Sequence, residues 1–385
     1  MAAAFHINTP TAVQFGAGVV TMLHSVLPDP AGTVLLVRGS SEAQAAPVIA
    51  DLAAQGIPLQ QIAVTAEPSV ASVNAAFAAV SDTRFGAIIA CGGGSVLDTA
   101  KALRFCLEWG RALPDNIAMV DPAALQRDPA LALIAIPTTA GTGAEVTSNA
   151  VLGVWRAGGA AKLSLRGRGL FPSVALVDPD LLATTPKSVA LGSGLDAVTQ
   201  TIEAYTSSYA TPFTAALSEP NLRLGARALR RIIEGPDPEA WQHIAWVSLS
   251  SGLALANGGL GAAHGLAAVL GARLKAPHGL LCGRLLAPVL IQNRSKVQIG
   301  SDVFTRIENS IEALAEVFPK TGGRNELSGF ETWLRLHRVP RLCDFGLTPA
   351  DFAAVAESAV YASSSTKNAV PLEIPDFIHI LEAAH

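Results

Sequence analysis

Residues 86–110 read GAIIACGGGSVLDTAKALRFCLEWG: a short uncharged apolar run, three glycines and a serine, then apolar positions recurring at helical spacing. Two other segments repeat the pattern. TVLLV at 33–37 ends in Arg38-Gly39-Ser40 before a helical segment from Glu42 to Gln55, and ALIAI at 132–136 ends in PTTAGTGAEVT. Strand, glycine-rich turn and helix in succession specify a parallel α/β sheet, which binds ligands beyond the carboxyl ends of its strands. After about Asp178 the character changes, and from Ser188 onward the segments are long, Ala/Leu-rich and helical in period. We therefore expect an α/β protein with an N-terminal parallel-sheet nucleotide-binding domain, residues 1–187, and a C-terminal all-helical domain, residues 188–385. The boundary falls after the turn-rich DPDLLATTP, with function in the cleft between the two.

The 385 residues are enough for two large cores, and with half of them apolar and 15% charged they favour extensive burial and a homodimer or larger homo-oligomer. A formal charge of −4 gives no footprint for nucleic acid or an anionic membrane. The four cysteines, Cys91, Cys106, Cys282 and Cys343, lack CxxC spacing and read as buried thiols in a reducing compartment. MAAAFHINTPTAVQFGAGVV has no basic region followed by an apolar run, so no signal peptide is expected and the cytoplasm is the expected location. Val247 to Ala272 is long enough for a membrane helix, but its Ser and Gly content, Asn257 and His264 favour a buried helix pair.

The backbone N–H groups of Gly92, Gly93, Gly94 and Ser95, between a strand and a helix N-terminus, suit a pyrophosphate, with Asp98 and Lys101 on the first turns of that helix. Three glycines alone would equally make a plain tight turn. A second loop, with hydroxyls at Thr138, Thr139 and Thr142, adds a ribose and phosphate surface, and two such loops in one sheet favour a dinucleotide. At the end of the first strand Gly39 and Ser40 carry no carboxylate and Arg38 stands beside them, which favours NADP and leaves NAD open. In the helical half, GLDAVTQTIEAY places Asp196 and Gln200 four apart on one helix face, and His264 and His278 lie in a region almost bare of charge. Oxygen and imidazole donors from separate helices are what a divalent metal needs. Singly, Asp196 reads as an N-cap, Gln200 as a surface amide and each His as a core residue; together they read as a site.

GGGSVLDTAK, PTTAGTGAEVTS, LVDPDLLATTP, GLDAVTQTIEAYTS and the His264 to His278 segment, in that order, resemble the iron-containing alcohol dehydrogenase family, and the likeness runs from FGAGVV at 15–20 to the C-terminal helix. The resemblance implies a nucleotide-binding domain, a helical domain and a divalent metal, Fe or Zn, in the cleft. It also implies reversible hydride transfer between NADP or NAD and a small alcohol or aldehyde. The family's metal positions correspond to Asp196, Gln200, His264 and His278, and His264 and His278 are the implied catalytic residues. Lys162 stands where the family has a lysine near the nucleotide. Two positions depart from the pattern: Gln200 replaces a His ligand, and Ala268 replaces a His near the substrate. A neutral amide binds Fe or Zn less well than imidazole. Two alternatives stay open. One is a metal-independent reductase of an acidic keto substrate, as in the maleylacetate reductases, with His264 or His278 as hydrogen-bond donor and Arg38, Arg166, Arg168, Arg273 or Lys275 as candidates to hold the carboxylate. The other is a nucleotide-binding subunit without catalysis.

Overall fold

The apolar runs at 33–37, 86–90 and 132–136 form the interior of a parallel sheet in the computed structural model, which describes residues 4–29, 32–156, 159–322 and 325–385. The strands are β1 (Ala12–Phe15), β2 (Val34–Gly39), β3 (Leu59–Val64), β4 (Ala87–Gly92), β5 (Ala132–Pro137), β6 (Asn149–Arg156), β7 (Gly159–Arg166) and β8 (Val174–Val177). Six of them make one sheet in the order β1-β8-β5-β4-β2-β3, paired in parallel throughout, while β6 and β7 form a separate antiparallel ribbon. The helices of this half are α1 (Glu42–Ala54), α2 (Val70–Val80), α3 (Gly94–Trp109) and the short α4 (Pro122–Leu125) and α5 (Pro179–Leu182).

Continuous apolar runs are required because the sheet is covered on both faces. Leu35, Val37, Ile88 and Leu133 pack with Leu97 and Leu103 of α3 on one side. Their neighbours Val34, Leu36, Ile89 and Ile134 pack with Val48 and Leu52 of α1 on the other. The chain steps from β2 to β3 in one direction and returns to place β4 on the other side of β2, so the order reverses between β2 and β4. Their carboxyl ends, at Gly39 and Gly92, flank this switch point, where open α/β sheets bind ligands.

Helix α3 also buries charge. Lys101 Nζ donates to Thr147 Oγ1 at 2.9 Å and to the Asn149 carbonyl at 3.0 Å, and Arg104 Nη2 donates to the carbonyls of Gly169 and Phe171, each at 2.7 Å. These bonds tie the ends of the β6/β7 ribbon to α3.

From Lys187 onward no strand occurs among the described residues. The helices are α6 (Lys187–Thr206), α7 (Pro212–Ser218), α8 (Asn221–Glu234), α9 (Pro238–Asn257), α10 (Ala262–Leu274), α11 (His278–Lys296), α12 (Asp302–Val317), α13 (Ser328–Leu336), α14 (Phe352–Ala359) and α15 (Ile374–Ala384). The two compact units are Thr9–Pro186 and Lys187–His385, and the residues up to Asn8 group with the helices rather than with the sheet. Asn8 explains that placement: its N–H donates to Asn257 Oδ1 at 2.5 Å, and Asn257 Nδ2 returns a bond to the Asn8 carbonyl at 3.2 Å.

Helix α6 is the axis of its unit and packs against α8, α9, α11 and α12. Every residue from Gly194 to Thr206 is buried. Thr199, Thr201 and Thr206 satisfy their hydroxyls on the carbonyl one turn earlier, at 2.8, 2.8 and 2.9 Å. Asp196, Gln200 and Glu203 must find partners on other helices, because an unpaired buried polar group is costly. The stretch Val247 to Ala272 falls on α9 and α10, which meet at a 96° bend, and no single helix among the described residues is long and apolar enough to cross a membrane.

Candidate active site

The helical unit draws four ligand-type side chains to one point. Asp196 comes from the middle of α6, His264 from the first turn of α10, His278 from the first residue of α11, and Cys282 from one turn further along α11. One donor atom from each lies within 4.8 Å of all the others. His264 Nε2 is 3.2 Å and His278 Nε2 is 3.8 Å from the same oxygen, Asp196 Oδ1, and Cys282 Sγ is 3.6 Å from His278 Nε2. The imidazoles stand edge to face, ring centroids 5.5 Å apart. Asp196 and His264 are almost wholly buried, whereas the His278 side chain is 32% exposed.

Glycine makes this convergence possible. A Cβ on Gly279 would lie 2.1 Å from the carbonyl oxygen of Gly192 on α6, and one on Gly283 would lie 2.7 Å from a Leu195 methyl. Only bare backbone at both positions lets α11 approach α6 closely enough for His278 and Cys282 to face Asp196.

Glu203, two turns beyond Asp196 on α6, orients His264. Its Oε2 lies 2.7 Å from His264 Nδ1, and its two oxygens accept the backbone N–H groups of Gly261, Ala263 and His264 at 3.0, 2.7 and 3.3 Å. Asn368 Oδ1 accepts the Ala262 N–H at 3.1 Å. Gly261 offers α10 no side-chain cap, so a buried carboxylate satisfies the orphan donors and complements the helix dipole. The same carboxylate orients the ring, with Nδ1 toward Glu203 and Nε2 toward Asp196.

The electrostatics favour a cation. Burial pushes the Asp196 carboxyl up, but the facing His264 and His278 outweigh it and leave the group below the usual carboxylate range. Burial likewise pulls both imidazoles down, yet the neighbouring Cys282 and Asp196, with Glu203 also acting on His264, leave His264 well above its usual value and His278 raised. Despite their 3.2 Å approach, Asp196 Oδ1 and His264 Nε2 make no aligned hydrogen bond, and each is a buried polar atom without such a partner. Two orphaned donor atoms aimed at one point, in a pocket that attracts positive charge, fit a divalent metal.

Gln200 lies one turn beyond Asp196, and its Nε2 donates to Ser251 Oγ at 2.8 Å. Ser251 in turn donates to the Ser248 carbonyl at 2.9 Å.

In the sheet unit the two loops proposed for the nucleotide meet. The Thr138 N–H donates to the Gly92 carbonyl at 3.0 Å. A Cβ on Gly93 would lie 3.0 Å from Thr139 Oγ1, and one on Gly94 would lie 3.1 Å from the Thr142 side chain. Gly93 is the N-cap of α3 and provides no side-chain cap; the Val96 N–H donates to the Gly93 carbonyl at 2.9 Å, and the N–H groups of Gly94 and Ser95 precede it at the helix N-terminus. Gly39 ends the adjacent strand β2, and Ser40 follows it. Asp98 and Lys162 have protein partners of their own. Asp98 accepts the Val151 N–H at 3.0 Å and lies 3.9 Å from Lys101, and burial pushes its carboxyl up to about 6. Lys162 pairs with Glu67 at 2.6 Å. Beside Gly39, Arg38 donates to Gln61 at 2.8 Å and pairs with Glu42 at 3.4 Å. Glu42 thus places near the end of β2 a carboxylate that a reading confined to Gly39 and Ser40 overlooks. Glu203 and Cys282 were missed as well, although their spacings of seven from Asp196 and four from His278 put them on the same helix faces.

A parallel α/β unit with glycine- and threonine-rich loops at its switch point, followed by a helical unit carrying an Asp–His–His–Cys cluster, defines a two-unit α/β and all-helical class of protein. Residues 10–179 match the iron-containing alcohol dehydrogenase family and residues 190–385 match the C-terminal region of the same family. The chain is 35% identical over 306 residues to the probable alcohol dehydrogenase EutG of Escherichia coli strain K12, covering 76% of this chain and 71% of that one. It is 31% identical over 324 residues to long-chain-alcohol dehydrogenase 1 of Geobacillus thermodenitrificans, covering 83% and 80%. Among solved structures, a 1,3-propanediol oxidoreductase superposes over the full length of both chains with a TM-score of 0.84 at 26% identity. The chain belongs to the iron-containing alcohol dehydrogenase family.

Proposed function

We propose that this protein transfers hydride between a nicotinamide cofactor and a small alcohol or aldehyde, with the substrate oxygen held at Asp196, His264 and His278. The observation that carries the reading is the pair of orphaned donors, Asp196 Oδ1 and His264 Nε2, facing each other beside His278 in an oxidoreductase family. A divalent cation bound there would act as a Lewis acid, polarising the carbonyl and stabilising charge on its oxygen. The chain's own residues do the rest. Asp196 supplies the negative charge, Glu203 holds His264 with Nε2 inward, and His278 is the partly exposed member of the site. Gly92 to Ser95, with Thr138, Thr139 and Thr142, would hold the cofactor's phosphates and ribose at the α3 N-terminus. Gly39 and Ser40 would border the adenosine ribose, and Lys162 and Asp98 would flank the nucleotide. Arg38 supports NADP(H), since a 2′-phosphate can take the place of the exposed Glu42 as its partner; NAD(H) is served by the same loops, with Glu42 as acceptor for the ribose hydroxyl. A surface pair such as Arg38–Glu42 is worth at most about 1 kcal/mol, so a phosphate can displace it.

The test is a fluorescence titration with NADPH and NADH together with turnover over a panel of small aldehydes. Binding is expected, with turnover lost in His278→Ala and kept in His379→Ala, an exposed histidine. Failure both to bind and to turn over would sink the reading.

A further inference from the structure

The sequence reading leaves the metal site one imidazole short, because Gln200 stands where a fourth ligand is expected. We propose that Cys282 is that fourth ligand, giving a tetrahedral Asp196, His264, His278, Cys282 site suited to zinc rather than iron. The inference rests on the reading above that Asp196, His264 and His278 hold a divalent cation. It adds a donor outside the four positions that the resemblance marks as metal ligands.

Three observations carry it. First, Cys282 follows His278 by four residues on α11, so both side chains project from one face of the helix. Second, three of the six donor separations lie near those that a tetrahedral zinc sets, and all lie within 4.8 Å. Zinc bonds of about 2.0–2.1 Å to nitrogen or oxygen and about 2.3 Å to sulfur, at tetrahedral angles, set neighbouring N and O donors about 3.3–3.4 Å apart and an N and S pair about 3.6 Å apart. The structure has 3.2 and 3.8 Å for the two imidazole–carboxylate separations and 3.6 Å between Cys282 Sγ and His278 Nε2. Third, Asp196 Oδ1 and His264 Nε2 are the orphaned buried atoms of the same cluster.

The chemistry differs from that of an oxygen and imidazole site. As the sulfur–metal bond forms, the thiol proton passes to solvent, and the carboxylate and thiolate together neutralise the dication. A soft thiolate donor would favour zinc, which Asp196, His264, His278 and Cys282 would hold and which would act as a Lewis acid toward a substrate oxygen.

X-ray absorption on the full-length zinc-loaded protein tests this directly. One sulfur scatterer at about 2.3 Å beside three light-atom donors is expected. In cobalt-loaded protein a sulfur-to-cobalt charge-transfer band should disappear in Cys282→Ser and persist in Cys343→Ser. Zinc affinity should fall more than about 10-fold in Cys282→Ser, the smallest loss typical of an outer-shell change. Light-atom scatterers alone, or an unchanged spectrum and affinity in Cys282→Ser, would overturn the proposal while leaving a cation site in place. Wild-type protein that binds no divalent cation would overturn both this proposal and the metal part of the proposed function. The wild-type absorption measurement decides the matter even if Cys282→Ser does not fold.

Discussion

Glu203 is the residue on which two properties meet, because one buried carboxylate both caps α10 and aligns His264. Glu203→Ala leaves those donors without their acceptor at about 1–3 kcal/mol each, so thermal unfolding should shift down sharply. Divalent-metal affinity should fall about 10–100-fold as the His264 ring loses its anchor. Glu203→Gln keeps an oxygen for the cap and should recover stability more fully than affinity. Equal metal binding by Glu203→Ala and wild type, read by isothermal titration, would show that the carboxylate does not orient the ligand. A second buried carboxyl, Glu145, follows the PTTAGTG loop, and burial raises it from 4.5 to about 7 against the attraction of Lys101. A carboxyl raised by folding binds its proton more tightly in the native state. Its stabilisation is therefore complete below about 4.5 and is lost as pH rises through about 7. Glu145→Gln cannot ionise, so its unfolding temperature should match wild type in acid and exceed it above neutrality; parallel pH profiles of the two proteins would refute this.

At the scale of elements, the site depends on the approach of α11 to α6. Gly279→Ala puts a methyl 2.1 Å from the Gly192 carbonyl oxygen, a backbone contact that no rotamer change relieves. Lower thermal stability and weaker metal binding are expected together, since the same displacement moves His278 and Cys282 away from Asp196. A destabilised variant with wild-type metal affinity would contradict the coupling. The elements themselves were unequally legible. Strands β2, β4 and β5 are buried on both faces and announce themselves as unbroken apolar runs. Strand β3 lies at the sheet edge with the half-polar sequence LQQIAV, and β1 and β8 are four residues each, too short for a periodic signal. Asp196, His264 and His278 were legible because charge and imidazole are rare in that region. Cys282 was not, because its sulfur counts as an apolar core residue until α11 is seen to bring it one turn from His278.

In the whole molecule, chemistry is divided between units with different physical tasks. The sheet unit gathers backbone N–H groups and hydroxyls at a switch point, and the helical unit gathers charged and soft donors in a largely buried cluster. The linear division near residue 187 was visible as a change of period. The grouping of the residues up to Asn8 with the helices was not, since it depends on a reciprocal amide pair with Asn257, 249 positions away. The central claim is that the cation site of the helical unit works with a nicotinamide cofactor. It is tested most directly by aldehyde reduction with NADPH or NADH before chelation, after exhaustive chelation, and after return of zinc or iron. Turnover that is lost on chelation, restored by metal and absent throughout in His278→Ala is the predicted result. Full turnover in protein shown by elemental analysis to be free of metal would contradict it.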